Sequence, residues 1–167
     1  MNSNLLFDFT VNKENNTIRV KREFAAELPL VWQAWTDAEI LDQWWAPKPW
    51  RAETKSMEFT EGGRWHYAMV GPEGDKQWCI FDYDSIQAEK EYAGSDAFAD
   101  ENAIADNTKP RVYWRNRFST EGEGTLVDIV LSFESMDDLE KLMEMGFKEG
   151  FTMGLGNLDQ LLPTLKK

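Results

Sequence analysis

The sequence predicts an α+β fold in which an antiparallel sheet is covered by one long C-terminal helix. Three observations carry this. Val127, Ile129, Leu131 and Phe133 alternate with polar Asp128 and Ser132, the pattern of a strand with one covered face. Several similar runs are punctuated by glycine-rich turns at Gly62-Gly63, Gly71-Pro72-Glu73-Gly74 and Glu121-Gly122-Glu123-Gly124. Finally, Leu139, Met143, Phe147, Phe151, Leu158 and Leu161 form an apolar stripe at helical spacing over residues 137–162. A sheet must bury its apolar face against another element, and this helix is the one segment long enough to do so.

The elements follow in order. Residues 5–11 and 17–25 read as a strand hairpin, because Glu14-Asn15-Asn16 between them is turn-prone. Ile18, Val20 and Arg22 alternate there with Arg19, Lys21 and Glu23. Pro29 suits the first turn of a short helix over 29–36, where its missing N–H costs nothing. Thr36 and Glu39 fit a capping box for a second helix carrying Ile40, Leu41, Trp44 and Trp45, which Pro47 and Pro49 end. Strands are expected at 50–59, 63–70, 76–83, 86–93, 111–119 and 125–134. Within them Trp65, Tyr67 and Met69 share one face, as do Trp114, Asn116 and Phe118. Residues 94–110, rich in Asp and Glu, read as a long mobile loop with Phe98 as an isolated aromatic. Ser135 and Asp138 match the start of the terminal helix.

Composition narrows the function. A chain of 167 residues is expected to form one domain over 1–167. Its net charge of −12 disfavours a nucleic acid or an anionic membrane surface as partner. No stretch approaches the ~20 apolar residues of a membrane helix, and no secretory signal is readable in MNSNLLFDFT. The lone Cys79 cannot form an internal disulfide, so a cytoplasmic location is expected.

Candidate chemistry is sparse. Five of the eight tryptophans, Trp32, Trp35, Trp44, Trp45 and Trp50, crowd into one stretch. They read as core, or as rings at a pocket mouth with Trp44 or Trp45 as a gate. Gly146, Gly150 and Gly154 recur every four residues on the last helix, each at about 1 kcal/mol against alanine. Close packing on the sheet or free volume for a ligand could offset that. Asn116, among aromatics, must bond backbone, water or ligand. His66, the only histidine, alternates onto the face opposite Trp65 and is expected to be exposed. Cys79, in Trp78-Cys79-Ile80-Phe81, reads as an inert core thiol. One His and one Cys make no standard zinc site. The acidic run from Asp100 to Asp106 fails as a calcium loop, since Ala105 and Arg111 stand where glycine and glutamate are needed. No phosphate-binding motif is present, and no cofactor is expected.

The run Val31 to Pro47 with its tryptophans, Gly62-Gly63-Arg64-Trp65, and Met145-Gly146-Phe147 with Gly150 and the later leucines resemble the family named after the activator of the heat-shock-protein-90 ATPase. The loop from Asp96 to Asn102 is similar to that of a bacterial subgroup, and the likeness spans about residues 17–163. The resemblance implies a helix-grip fold, as in START lipid-transfer domains, birch-pollen-allergen-like proteins and polyketide cyclases. There a curved antiparallel sheet wraps the long C-terminal helix around an apolar cavity. The expected function is to bind a small apolar or aromatic molecule through Trp44, Trp45, Trp65, Tyr67, Met69, Trp114, Asn116, Phe147, Gly150, Phe151 and Gly154. A cyclase- or hydrolase-like enzyme is the alternative, as is a chaperone-regulating domain that contacts a protein partner; a homodimer is left open. The absence of a clear nucleophile or acid–base pair favours binding over catalysis.

Overall fold

The computed structural model describes residues 5–165. In chain order the elements are β1 (Phe7–Asn12), β2 (Thr17–Phe24), α1 (Leu28–Thr36), α2 (Ala38–Trp44), β3 (Arg51–Met57) and β4 (Arg64–Val70). They continue as β5 (Lys76–Gln87), β6 (Glu91–Ala99), β7 (Val112–Glu121), β8 (Gly124–Ser132), α3 (Met136–Glu144) and α4 (Phe147–Leu165). All eight strands join one antiparallel sheet in the order β1-β2-β8-β7-β6-β5-β4-β3. With α1, α2 and the terminal helix packed on its concave face, this is a helix-grip fold. Among the described residues, no helix is long and apolar enough to cross a membrane.

Alternation dictates which face is covered. Val127, Ile129 and Leu131 of β8 are fully buried, as are Ile18 and Val20 of β2. They share one core with Leu155, Leu158 and Leu162 of α4. Burial of each such side chain is worth about 1.5–3 kcal/mol. Pro29 stands in the first turn of α1, as the sequence suggests, and Ser135 caps α3 by accepting the Asp138 N–H at 3.1 Å.

Four expectations are corrected. The terminal helix is two helices, because Gly146 adopts φ of +88° and closes α3 before α4 begins. Left-handed backbone at a helix end is where glycine is favoured, so Gly146 is no part of a helical stripe. The cap of α2 is Asp37, whose carboxylate accepts the Glu39 N–H at 2.9 Å, whereas Thr36 Oγ1 donates to the Trp32 carbonyl. The segment 94–110 is not all loop, since β6 runs to Ala99 and pairs with β5 and β7. The turn lies earlier, after a long β5 that passes through an irregularity between Tyr83 and Ser85.

The fourth correction is His66, which is only 4% exposed. The remaining loop folds back over the convex face. Asp106 N–H donates to the Phe98 carbonyl, Ala99 bridges Ala105, and the Asp100 carbonyl lies 3.0 Å from His66 Nε2. The acidic residues here organise turns: Asp100 accepts the N–H of Asn102 and Ile104, and Asp106 accepts that of Thr108. Amide hydrogen exchange is therefore expected to divide the segment. Residues 95–99 should be protected like the adjacent strands, and the exposed turns 101–104 and 107–109, held only by local bonds, should exchange faster than those strands, Glu101 and Asn107 fastest. Uniformly fast exchange over 95–109 would contradict this pairing.

Candidate functional site

The site is built outward from the end of α2. Ile40, Leu41 and Trp44 bury one side of that helix, and Trp44 Nε1 donates to the Ala34 carbonyl at 3.0 Å. Pro47 follows at once, and α-helical backbone is disfavoured for the residue before a proline. Trp45 is thereby left at the helix end, directed under the sheet. Its indole meets Trp35, Trp65, Trp114 and Phe151 at ring distances of 5.9, 5.7, 5.8 and 6.1 Å. Its Nε1 donates to the Tyr67 hydroxyl at 3.0 Å.

Beside Trp45 lies a cavity of about 220 Å³ between the sheet and the terminal helices. Tyr67, Met69, Cys79, Asp96, Phe98, Val112 and Trp114 form its sheet wall. Leu142, Met145, Gly146, Phe147, Gly150 and Phe151 form its helix wall, with Pro47 and Pro110 at the sides. The break at Gly146 and the bare backbone of Gly150 create the volume. A Cβ at Gly150 would touch only Pro47 Cγ, at 3.6 Å.

Of the residues singled out from sequence, Trp45, Tyr67, Met69, Trp114, Phe147, Gly150 and Phe151 come together on this cavity. Trp44, Trp65, Asn116 and Gly154 do not line it. Trp44 is 1% exposed and packs edge-on to Trp35. Trp65 stacks on Tyr67 at 3.9 Å and donates to Thr54 Oγ1. Asn116 is buried and faces the Tyr92 phenol across the strand pair, with no partner in good hydrogen-bond geometry. Gly154 is a close-approach position, where a Cβ would lie 3.2 and 3.3 Å from the Trp45 and Trp44 carbonyl oxygens.

Asp96 is the residue that sequence reasoning missed. Tyr92, Gly94, Asp96 and Phe98 alternate onto the concave face, so one acidic residue in that period was the available signal. Trp114 Nε1 donates to Asp96 Oδ2 at 3.0 Å, and part of the carboxyl surface opens onto the cavity. Desolvation pushes its pKa up to about 7, against the opposing pull of the Trp114 N–H, Arg111 and the Val112 backbone. Cys79 is pushed up to about 12, first by burial and then by the nearby Asp96 charge. Tyr67 is raised for the same first reason. Thiol and phenol are thus neutral at physiological pH, and the thiol is no nucleophile.

His66 points away from this site, onto the convex face, beside Trp78 and the Asp100 carbonyl. Among the described residues, no group of three or more His, Cys, Asp or Glu could hold a metal ion.

The family described as activator of Hsp90 ATPase homolog 1-like protein matches residues 25–163. The chain belongs to that family. Within the activator of Hsp90 ATPase homolog 1-like fold, solved structures align along almost its whole length. The crystal structure of Ms6760 from Mycobacterium smegmatis is 26% identical with a TM-score of 0.86, covering 95% of this chain and 96% of that one. The solution structure of a protein from Arthrobacter aurescens is 29% identical with a TM-score of 0.89, covering 94% and 91%. CalU16 from Micromonospora echinospora, at 19% identity, TM-score 0.62 and coverage of 95% and 84%, shares the fold. No match was found among the curated proteins.

The raised Asp96 pKa ties stability to pH. Below about pH 4 both folded and unfolded chains hold the proton, so the group costs nothing. Between about pH 4 and 7 the unfolded chain releases it while the fold retains it, and stability falls as pH rises. Above 7 both are ionised and the penalty, roughly a few kcal/mol, stays level. Asp96→Asn removes this dependence. The urea midpoint of the variant relative to the wild type is therefore expected to rise from pH 4 to 7 and then level off. A difference that does not change with pH would show that the carboxyl titrates normally.

Proposed function

We propose that the protein binds a small, mostly apolar molecule in the cavity between the sheet and α4, and that binding rather than turnover is its activity. One observation carries this reading. A partly open volume of about 220 Å³ is walled almost wholly by aromatic and aliphatic side chains and has one polar corner at Asp96, Tyr67 and Cys79. Ligand sites in proteins have this form, apolar walls with few convergent polar groups. An apolar cavity of about 150 Å³ is enough to take up benzene, so this one suits a ring with a short substituent. Trp45, Tyr67, Met69, Trp114, Phe147, Gly150 and Phe151 would contact the ligand. Trp44, Trp65, Asn116 and Gly154 would hold the walls.

A second reading follows from Asp96 alone. A carboxyl whose pKa lies at about 7 is matched to proton transfer near neutral pH. A cyclase-like reaction would use the cavity to shape the substrate and Asp96 to move the proton. Native mass spectrometry of freshly purified protein separates the two: retained intact ligand supports binding, and conversion of an added ligand supports catalysis.

The glycines of α4 give the mutational test. Gly150→Leu is expected to fill the cavity, abolish binding of an environment-sensitive apolar dye and hold or raise the urea midpoint. Leucine is the better helix former by nearly ~1 kcal/mol. Gly154→Leu is expected to lower the midpoint, because the new atoms meet backbone carbonyls and overpacking costs ~1–3 kcal/mol or more. A lowered midpoint with unchanged dye binding in Gly150→Leu would count against the cavity as a ligand site.

A further inference from the structure

We propose that the ligand of this cavity is an organic amine, its cationic nitrogen seated against Asp96 and its apolar body against Trp45, Trp114 and Phe151. The inference rests on the reading of the cavity as a ligand site and names the class of molecule.

The hydrogen bonds at the polar corner point one way. Both cavity indoles have spent their single N–H: Trp45 on the Tyr67 hydroxyl, Trp114 on Asp96 Oδ2, each at 3.0 Å. A ligand that brings only acceptors, such as a carboxylate, finds no free indole donor, and the remaining donors, the Tyr67 hydroxyl and the Cys79 thiol, bond each other beside the Asp96 carboxyl. Asp96 has the opposite character. An ionised carboxylate can accept about four hydrogen bonds, and Trp114 supplies one of them from a side chain. The Val112 backbone N–H supplies another, and part of the remaining capacity opens onto the cavity. A protonated amine provides several N–H donors and a charge that compensates the carboxylate.

The walls agree with the corner. Trp114 lies 5.6 Å from Phe151 and 5.8 Å from Trp45 between ring centres, and Phe147 stacks on Phe151 at 5.3 Å. Aromatic rings around a buried site attract cations through their negative faces, most strongly tryptophan. The net charge of −12 favours the approach of a cation as well.

Among the described residues no cation forms an ion pair with Asp96, and Arg111 acts on it only through space. Arg111 is engaged with Ser95 Oγ at 3.1 Å and with Asp82 at 3.9 Å. Lys109 pairs with Asp106 at 4.0 Å and lies over the Phe98 ring. On the helix side the cavity lining is uncharged, and Lys148 of α4 lies over Phe9 instead. From β4 and β5 the facing titratable groups are Tyr67 and Cys79, both neutral. Amine binding should therefore draw Asp96 into its ionised form and strengthen as pH rises from 6 to 8, where the amine itself stays protonated.

The test uses three probes of nearly one shape: benzylamine, benzyl alcohol and ethylbenzene, titrated into the full chain with tryptophan fluorescence and calorimetry as readouts. At pH 8 the wild type is expected to bind benzylamine on the order of tenfold tighter than ethylbenzene, with the ratio shrinking at pH 5. In Asp96→Asn the ratio should collapse or invert. The wild-type series decides by itself if that variant folds poorly. Equal or tighter binding of ethylbenzene or benzyl alcohol at pH 8 would overturn the amine and leave the apolar ligand site standing. Failure of all three probes to bind would overturn both.

Discussion

The half-buried indole of Trp45 touches side chains from α1, β4, β7 and α4, and its one polar atom is satisfied by the Tyr67 hydroxyl. A buried tryptophan N–H without an acceptor is costly, so this bond ties the end of α2 to the middle of the sheet. The carbonyls of Trp44 and Trp45 in turn form the surface against which Gly154 is pressed. α4 is thereby held close to α2 at one point along its length. Its start is set independently by the reversal at Gly146. Between those two anchors the helix spans a gap, and the gap is the cavity. Shape here is a by-product of two fixed contacts and the absence of a side chain at Gly150.

Much of this was legible in the residues. β7 and β8 declare themselves through strict alternation, because each packs one face on the core. Ser135 and Pro29 mark their helices by local chemistry that tertiary structure did not override. The break at Gly146 was hidden because the apolar spacing carries on across it. Phe147 and Phe151 fit the same stripe as Leu139 and Met143, and periodicity cannot register a change of axis. β6 was obscured differently: Gly94, Ser95 and Asp96 are weak strand formers, tolerated because β5 and β7 pair on both sides. The burial of His66 was invisible because its cover is a loop distant in sequence, and alternation says only which face a residue takes.

Asp96 shows what the cavity costs. A carboxyl facing apolar walls, with a pKa near 7, reduces the stability of the fold at physiological pH. Asparagine there would remove the ionisation penalty and still offer Trp114 Nε1 an acceptor, whereas an apolar residue would leave that N–H unpaired. Perturbed titrating groups in a cleft concentrate where proteins do chemistry or recognition. The thiol and phenol beside it are buried, neutral and hydrogen-bonded within the corner, so they shape the site without competing for charge.

The cavity wall is of two kinds, and the difference governs how such a protein changes over generations. Tyr67, Cys79, Trp114 and Phe151 are deeply buried, and Tyr67 and Trp114 are also hydrogen-bonded into the frame. Met69, Phe98, Met145 and Phe147 are only partly covered, and the first and third are flexible methionines. Substitutions at partly exposed positions usually cost little stability, and methionine adapts to many shapes. Drift at the rim can reshape the opening of the cavity while the frame stays intact. Structures at 26% and 29% identity keep this fold, so the architecture tolerates wide change in sequence. Frame residues such as Tyr67 and Trp114 carry cavity shape and stability together, whereas rim residues can change with little cost to the fold.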